Sequence, residues 1–105
     1  MSFLTSMFKT EKPVIGMLHL RPLYYPGGSV SQVVEAAKRD LEALQQGGVD
    51  GILITNELSM PYEQHVSPST LASMGYVIGT LSHDLSTPWG AEAIYDGDAT
   101  IELCA

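Results

Sequence analysis

Three apolar runs in this chain each end in side chains able to do chemistry. "VIGMLHLRPL", residues 14–23, passes from apolar residues into His19 and Arg21. "GILIT", residues 51–55, is followed by Asn56 and Glu57, and "WGAEAIYD", residues 89–96, carries Glu92 and Asp96. A histidine titrates near neutrality and can give or take a proton, provided a neighbouring carboxylate such as Glu57 or Asp96 orients it. Arg21 is a candidate clamp for a phosphate or carboxylate, because its guanidinium offers paired donors to paired oxygens. Glu57 is a candidate acid or metal ligand, and Asn56 a candidate ligand-binding amide. Each also has a structural use. His19 can bond to backbone, Glu57 and Asn56 can hold a loop, and Asp96 can cap a helix, the commonest use of an aspartate between a strand and a helix.

These residues matter together only if the elements carrying them bring their ends to one place. "VIGMLHL" is short, nearly all apolar and bounded by Pro13 and a loop, which predicts a buried strand. "RPLYYPGG" must be a loop, and Ser29 with Gln32 forms a capping box that opens a helix over about residues 30–46. Val33, Val34, Ala37, Leu41 and Leu44 form its inner face, and Gly47-Gly48 supplies the left-handed residue that ends it. "GILIT" lacks polar alternation, as expected of a parallel strand covered on both faces. Ser67 and Pro68 then start a second helix with Leu71, Met74, Val77, Ile78 and Leu81 inward, "WGAEAIY" reads as a third strand, and Asp96 or Asp98 caps a last helix.

Strands that alternate with helices at regular spacing imply parallel βαβ units and an α/β fold. In such folds the long loops at the carboxyl ends of the strands carry the chemistry. A dinucleotide-binding fold would need G-x-G-x-x-G after the first strand, and the motif is absent; "PGGS" before the first helix is a weak anion-binding signal. Phe3, Leu4, Met7 and Phe8 recur at helical spacing, so residues 1–12 read as a short helical lead-in to the three βα units of residues 13–105.

Composition narrows the function classes. The 105 residues carry 12 acids and 5 bases for a net charge of -7, and all five bases (Lys9, Lys12, Arg21, Lys38, Arg39) precede residue 40. No cationic face exists for a nucleic acid or an anionic membrane. A single cysteine, Cys104, forms no internal disulfide, has no metal-binding Cys/His spacing beside it and fits a reducing cytoplasm. No run approaches the roughly 20 apolar residues of a membrane span, and the start lacks the pattern of a signal peptide. His65 and His83 read as surface residues. The sequence singles out no cofactor.

The pieces "TEKPVIGMLHLRPL", "LEALQQGGVDGILITNELSMPY", "VSPSTLASM" and "PWGAEAIYDGDAT" occur in an order and at distances that resemble the BtpA/SgcQ family, its SgcQ branch most closely. That resemblance implies a TIM (β/α)8 barrel, typically about 250 residues, of which this chain holds the first three βα units as an open parallel sheet. It further implies a cytoplasmic enzyme or binder of a small phosphorylated, sugar-like substrate, possible as a homo-oligomer when complete, with this portion inactive by itself. The alternative it carries is a factor for photosystem I biogenesis or stability. The branch shows asparagine in "GVNVLWD" where this chain has "GAEAIYD", so Glu92 either adds an ionisable group to the site or marks a divergent member, while Tyr95 replaces a tryptophan and keeps an aromatic wall.

Overall fold

In the computed structural model, which describes residues 3–23, 29–62 and 64–105, three strands and four helices alternate along the chain. They are α1 (Phe3–Phe8), β1 (Ile15–His19), α2 (Val30–Gln46), β2 (Gly51–Thr55), α3 (Pro68–Leu81), β3 (Trp89–Glu92) and α4 (Gly97–Cys104). The sheet is parallel throughout in the order β1-β2-β3, which establishes the α/β class.

The helix boundaries follow local chemistry. Ser29 Oγ accepts the Gln32 N–H at 3.2 Å while Gln32 Oε1 accepts the Ser29 N–H at 3.3 Å, so two orphan donors of α2 are satisfied reciprocally. Gly48, at φ +85°, takes the left-handed conformation that lets the chain turn back into β2. Ser67 caps α3 in the same manner, with Pro68 at its first turn and Thr70 N–H on the serine oxygen at 3.1 Å.

One face of the sheet carries the core. Leu18, Ile52, Ile54 and Ala91 lie against Val33, Val34, Ala37 and Leu41 of α2 and Met74, Val77, Ile78 and Leu81 of α3, all buried. Gly16 belongs to this face, because a side chain there would press on Leu44 Cδ2 at 3.0 Å, so its lack of one lets α2 close onto β1. The other face is different. Burial in β1 alternates, and Ile15 and Met17 remain 42% and 46% exposed. The expectation of a strand covered on both faces therefore holds for most of β2, whereas β1, expected to be buried, is buried on one face only, since α2 and α3 cover only one side. α1 lies at the amino end of this second face. The Phe8 ring sits where a Gly51 side chain would be, 2.8 Å from its Cβ position, and Met7, Phe8, Ile15, Leu53, Pro88 and Trp89 line an apolar hollow of about 220 Å³.

β3 is shorter than the seven residues read from "WGAEAIY". Its ladder stops at Glu92, because the Ala93 N–H is drawn to Thr100 Oγ1 at 2.9 Å and the Ile94 N–H to Asn56 Oδ1 at 2.7 Å. Among the described residues no helix is long and apolar enough to cross a membrane. Residues 24–28, which include most of the "PGGS" stretch, lie outside those described.

Candidate functional site

The parallel register decides which strand-end residues meet. His19 pairs with Thr55 and Thr55 with Glu92, so the three occupy one row across the carboxyl ends of the strands. They share the face turned away from α2 and α3, since residues two positions earlier, Met17, Leu53 and Gly90, form the next row on that face. With adjacent strands about 4.8 Å apart, His19 and Glu92 stand on the order of 10 Å from each other, with Thr55 between. Thr55 is fully buried and its Oγ1 accepts the Glu57 N–H at 3.2 Å. The half-buried His19 imidazole makes no hydrogen bond among the described residues.

Beside Glu92 opens a cavity of about 460 Å³ lined by Glu57, Glu92, Tyr95, Asp96 and Thr100, with Ala93, Ile94 and Gly97 completing the wall. Four of the seven residues singled out in the sequence thus line one space. Glu57 is half-buried, and its backbone carbonyl accepts a hydrogen bond from the Tyr62 hydroxyl. Tyr62 in turn meets Tyr95 edge to face, ring centroids 5.1 Å apart at 77°, leaving Tyr95 70% exposed over the cavity.

The other candidates are placed differently. Asn56, 2% exposed, donates from Nδ2 to the Ile94 carbonyl at 3.0 Å and accepts the Ile94 N–H on Oδ1 at 2.7 Å. Its amide acts as a stand-in for a backbone peptide, carrying the ladder past the end of β3, and it is not among the residues lining the cavity. Arg21 is exposed beyond β1 and also outside the lining.

Asp96 is engaged as a clasp. Its Oδ1 accepts the Ala99 N–H at 3.0 Å as the N-cap of α4, and its Oδ2 accepts the Val66 N–H at 3.0 Å, tying the β3–α4 loop to the segment before α3. The histidine it meets is His65, whose Nδ1 is 3.9 Å from Oδ2, with the imidazole 80% exposed. The Ala99 N–H above all, against the opposing effect of desolvation, then the Val66 N–H and the nearby His65, hold the Asp96 carboxyl below the usual carboxylate range.

Sequence reasoning missed two residues of this site. Thr100 accepts the Ala93 N–H and donates to the Asp96 carbonyl at 2.9 Å, fixing the turn that presents Tyr95. Its place four residues after a capping aspartate was the available signal. Tyr62 lies in a loop with no periodic pattern and left no such trace. Cys104 directs its Sγ to the Ala91 carbonyl at 3.4 Å. Among the described residues no three His, Cys, Asp or Glu side chains converge to hold a metal ion.

Comparison with known proteins places this sequence in a family. The chain is 41% identical to the putative sgc region protein SgcQ of Escherichia coli over 98% of its own length and 40% of that protein. It is 34% identical to an uncharacterized protein of Thermococcus kodakarensis, over 89% of this chain and 37% of that one. The photosystem I biogenesis protein BtpA of Synechocystis is 35% identical over 83% of this chain and 32% of its own length. The chain thus spans about two-fifths or less of these relatives. No solved structure matches it. The profile of the BtpA family covers residues 10–104, nearly the whole chain, and the chain belongs to the BtpA family.

Proposed function

We propose that this chain supplies the first three βα units of a (β/α)8 barrel, and that its strand-end rim binds a small phosphorylated, sugar-like metabolite in the cytoplasm. The single observation that supports this best is the row His19, Thr55, Glu92, set by the strand register at one edge of an otherwise apolar sheet face beside an open cavity. Ile15, Met17 and Leu53 on that face are the residue types that fill barrel interiors, and the ring of strand ends is where barrels carry chemistry. In this reading residues 1–12 cover the amino end of the barrel and residues 13–105 hold the units.

On this rim His19 exchanges a proton with the ligand, its neutral ring taking one and the imidazolium returning it. Glu92, across the row, and Glu57 are the carboxylates free to accept hydroxyl hydrogens or to share that proton. Asp96, Asn56 and Thr100 position the loop that carries Tyr95, and Arg21 is the cation available to a phosphate at the first strand.

The test is calorimetric titration and thermal shift of the complete protein with a panel of sugar phosphates, with and without divalent metal ions. A saturable shift that His19→Ala or Glu92→Gln weakens about tenfold is the expected result. No shift with any member of the panel overturns the proposal. The accessory-factor alternative rests on the name of the Synechocystis relative, and that negative result would leave it standing.

A further inference from the structure

The described lining of the cavity beside β3 is unfavourable to a phosphate, although helix N-termini following strands commonly bind one. The α4 N-terminus opens onto this cavity through Gly97, but an anion of the protein already occupies it: the Asp96 carboxylate on the Ala99 N–H, followed by Asp98 in the first turn. Glu57 and Glu92 add two further negative side chains to the wall, and no Lys or Arg lines it among the described residues. The sequence carries no Lys or Arg after Arg39.

What the wall does offer suits hydroxyl groups. Glu57 and Glu92 accept O–H hydrogens, and the exposed Tyr95 ring gives an apolar surface for the C–H face of a polyol. The positive side lies across the sheet. Arg21, just beyond β1, is the only cation that follows a strand end among the described residues. In closed (β/α)8 barrels the phosphate site is built after strands seven and eight, and the eighth strand neighbours the first.

Resting on the reading of this rim as a ligand site, we propose that the ligand lies across it in one direction. Its uncharged, hydroxyl-bearing end enters the cavity of Glu57, Glu92 and Tyr95, and its phosphate points away, to the Arg21 side. The separation of β1 from β3, on the order of 10 Å, matches the length of a small phosphorylated polyol.

The experiment titrates the isotope-labelled protein with three probes, a hexitol, its terminal phosphate monoester and inorganic phosphate, and follows the Tyr95 ring and Thr100 amide signals by NMR. Hexitol and monoester are expected to move both signals, and inorganic phosphate neither. Arg21→Ala should weaken the monoester about tenfold and leave the hexitol unchanged, while Glu92→Gln weakens both. Movement of Tyr95 or Thr100 by inorganic phosphate overturns the orientation, as does equal loss of hexitol and monoester in Arg21→Ala. Monoester binding that leaves Tyr95 and Thr100 still refutes the orientation alone, whereas absence of binding by all three probes removes the ligand site with it.

Discussion

Replacing Asn56 by alanine should be among the most damaging single changes in this chain, although its amide hydrogen-bonds to backbone alone among the described residues. Its amide makes two hydrogen bonds to the backbone of one residue, accepting the Ile94 N–H at 2.7 Å and donating to the Ile94 carbonyl at 3.0 Å. Asn56 is 2% exposed and Ile94 7%, so water cannot take the place of the missing amide. Each buried group left without a partner costs about 1–3 kcal/mol, giving roughly 2–4 kcal/mol for Asn56→Ala once partial relaxation is allowed. With a urea slope of about 1–3 kcal/mol/M, the unfolding midpoint should fall by roughly 1–2 M. Urea titration followed by Trp89 fluorescence and far-ultraviolet circular dichroism measures this. Asn56→Asp is the informative second variant. It keeps the acceptor for the Ile94 N–H but loses the donor and sets a carboxylate against the Ile94 carbonyl, so it should be no less destabilising than alanine. A loss below about 0.5 kcal/mol in Asn56→Ala, the range of ordinary surface substitutions, would refute the claim that this amide extends the ladder.

Three further outcomes follow from the same geometry. Gly51→Ala places a methyl 2.8 Å from Phe8 Cε1 and 3.2 Å from the Pro88 carbonyl, so it should displace the Phe8 ring at a cost of about 1–2 kcal/mol and speed tryptic cleavage after Lys9. The Asp96 carboxyl, held below the usual range when folded, leaves the unfolded chain binding more protons in acid; its contribution is complete above the unfolded value of 3.8 and lost as pH falls through the lower folded value. Asp96→Asn should therefore flatten stability against pH below about pH 4 while keeping a capping oxygen, which acid titrations of both proteins by circular dichroism will show. Met17→Thr on the uncovered sheet face, where the side chain is 46% exposed, should change stability by less than about 0.5 kcal/mol and reduce binding of a hydrophobic dye.

Much of the fold was legible because its signals are local. Ser29 with Gln32, Ser67 with Pro68 and Asp96 each fix a helix start through atoms within four residues, and the bounds of α2 and α3 are those the capping residues and apolar spacing predict. What was illegible depends on contacts far apart in sequence. "WGAEAIY" reads as seven strand residues, yet β3 ends at Glu92 because the Ile94 N–H and carbonyl pair with Asn56, 38 residues before Ile94. No pattern within the run encodes that.

The site shows the same division. The sequence could say that His19, Glu57 and Glu92 belong to strand ends, and the register then puts His19 and Glu92 in one row. It could not say how the carboxylates divide their work, since that depends on which backbone N–H groups each one meets. Asp96 meets two of them, Ala99 and Val66, and is a clasp; Glu92, exposed on the cavity wall, is an acceptor open to a ligand. A single substitution separates these roles. Glu92→Gln should change the unfolding free energy by no more than the surface range of about 0.5 kcal/mol while altering ligand binding, whereas Asp96→Ala removes a helix cap together with the tie to Val66 and should cost more. If Glu92→Gln proved as destabilising as Asp96→Ala, Glu92 would be part of the scaffold, and the row it shares with His19 would lose its claim to chemistry.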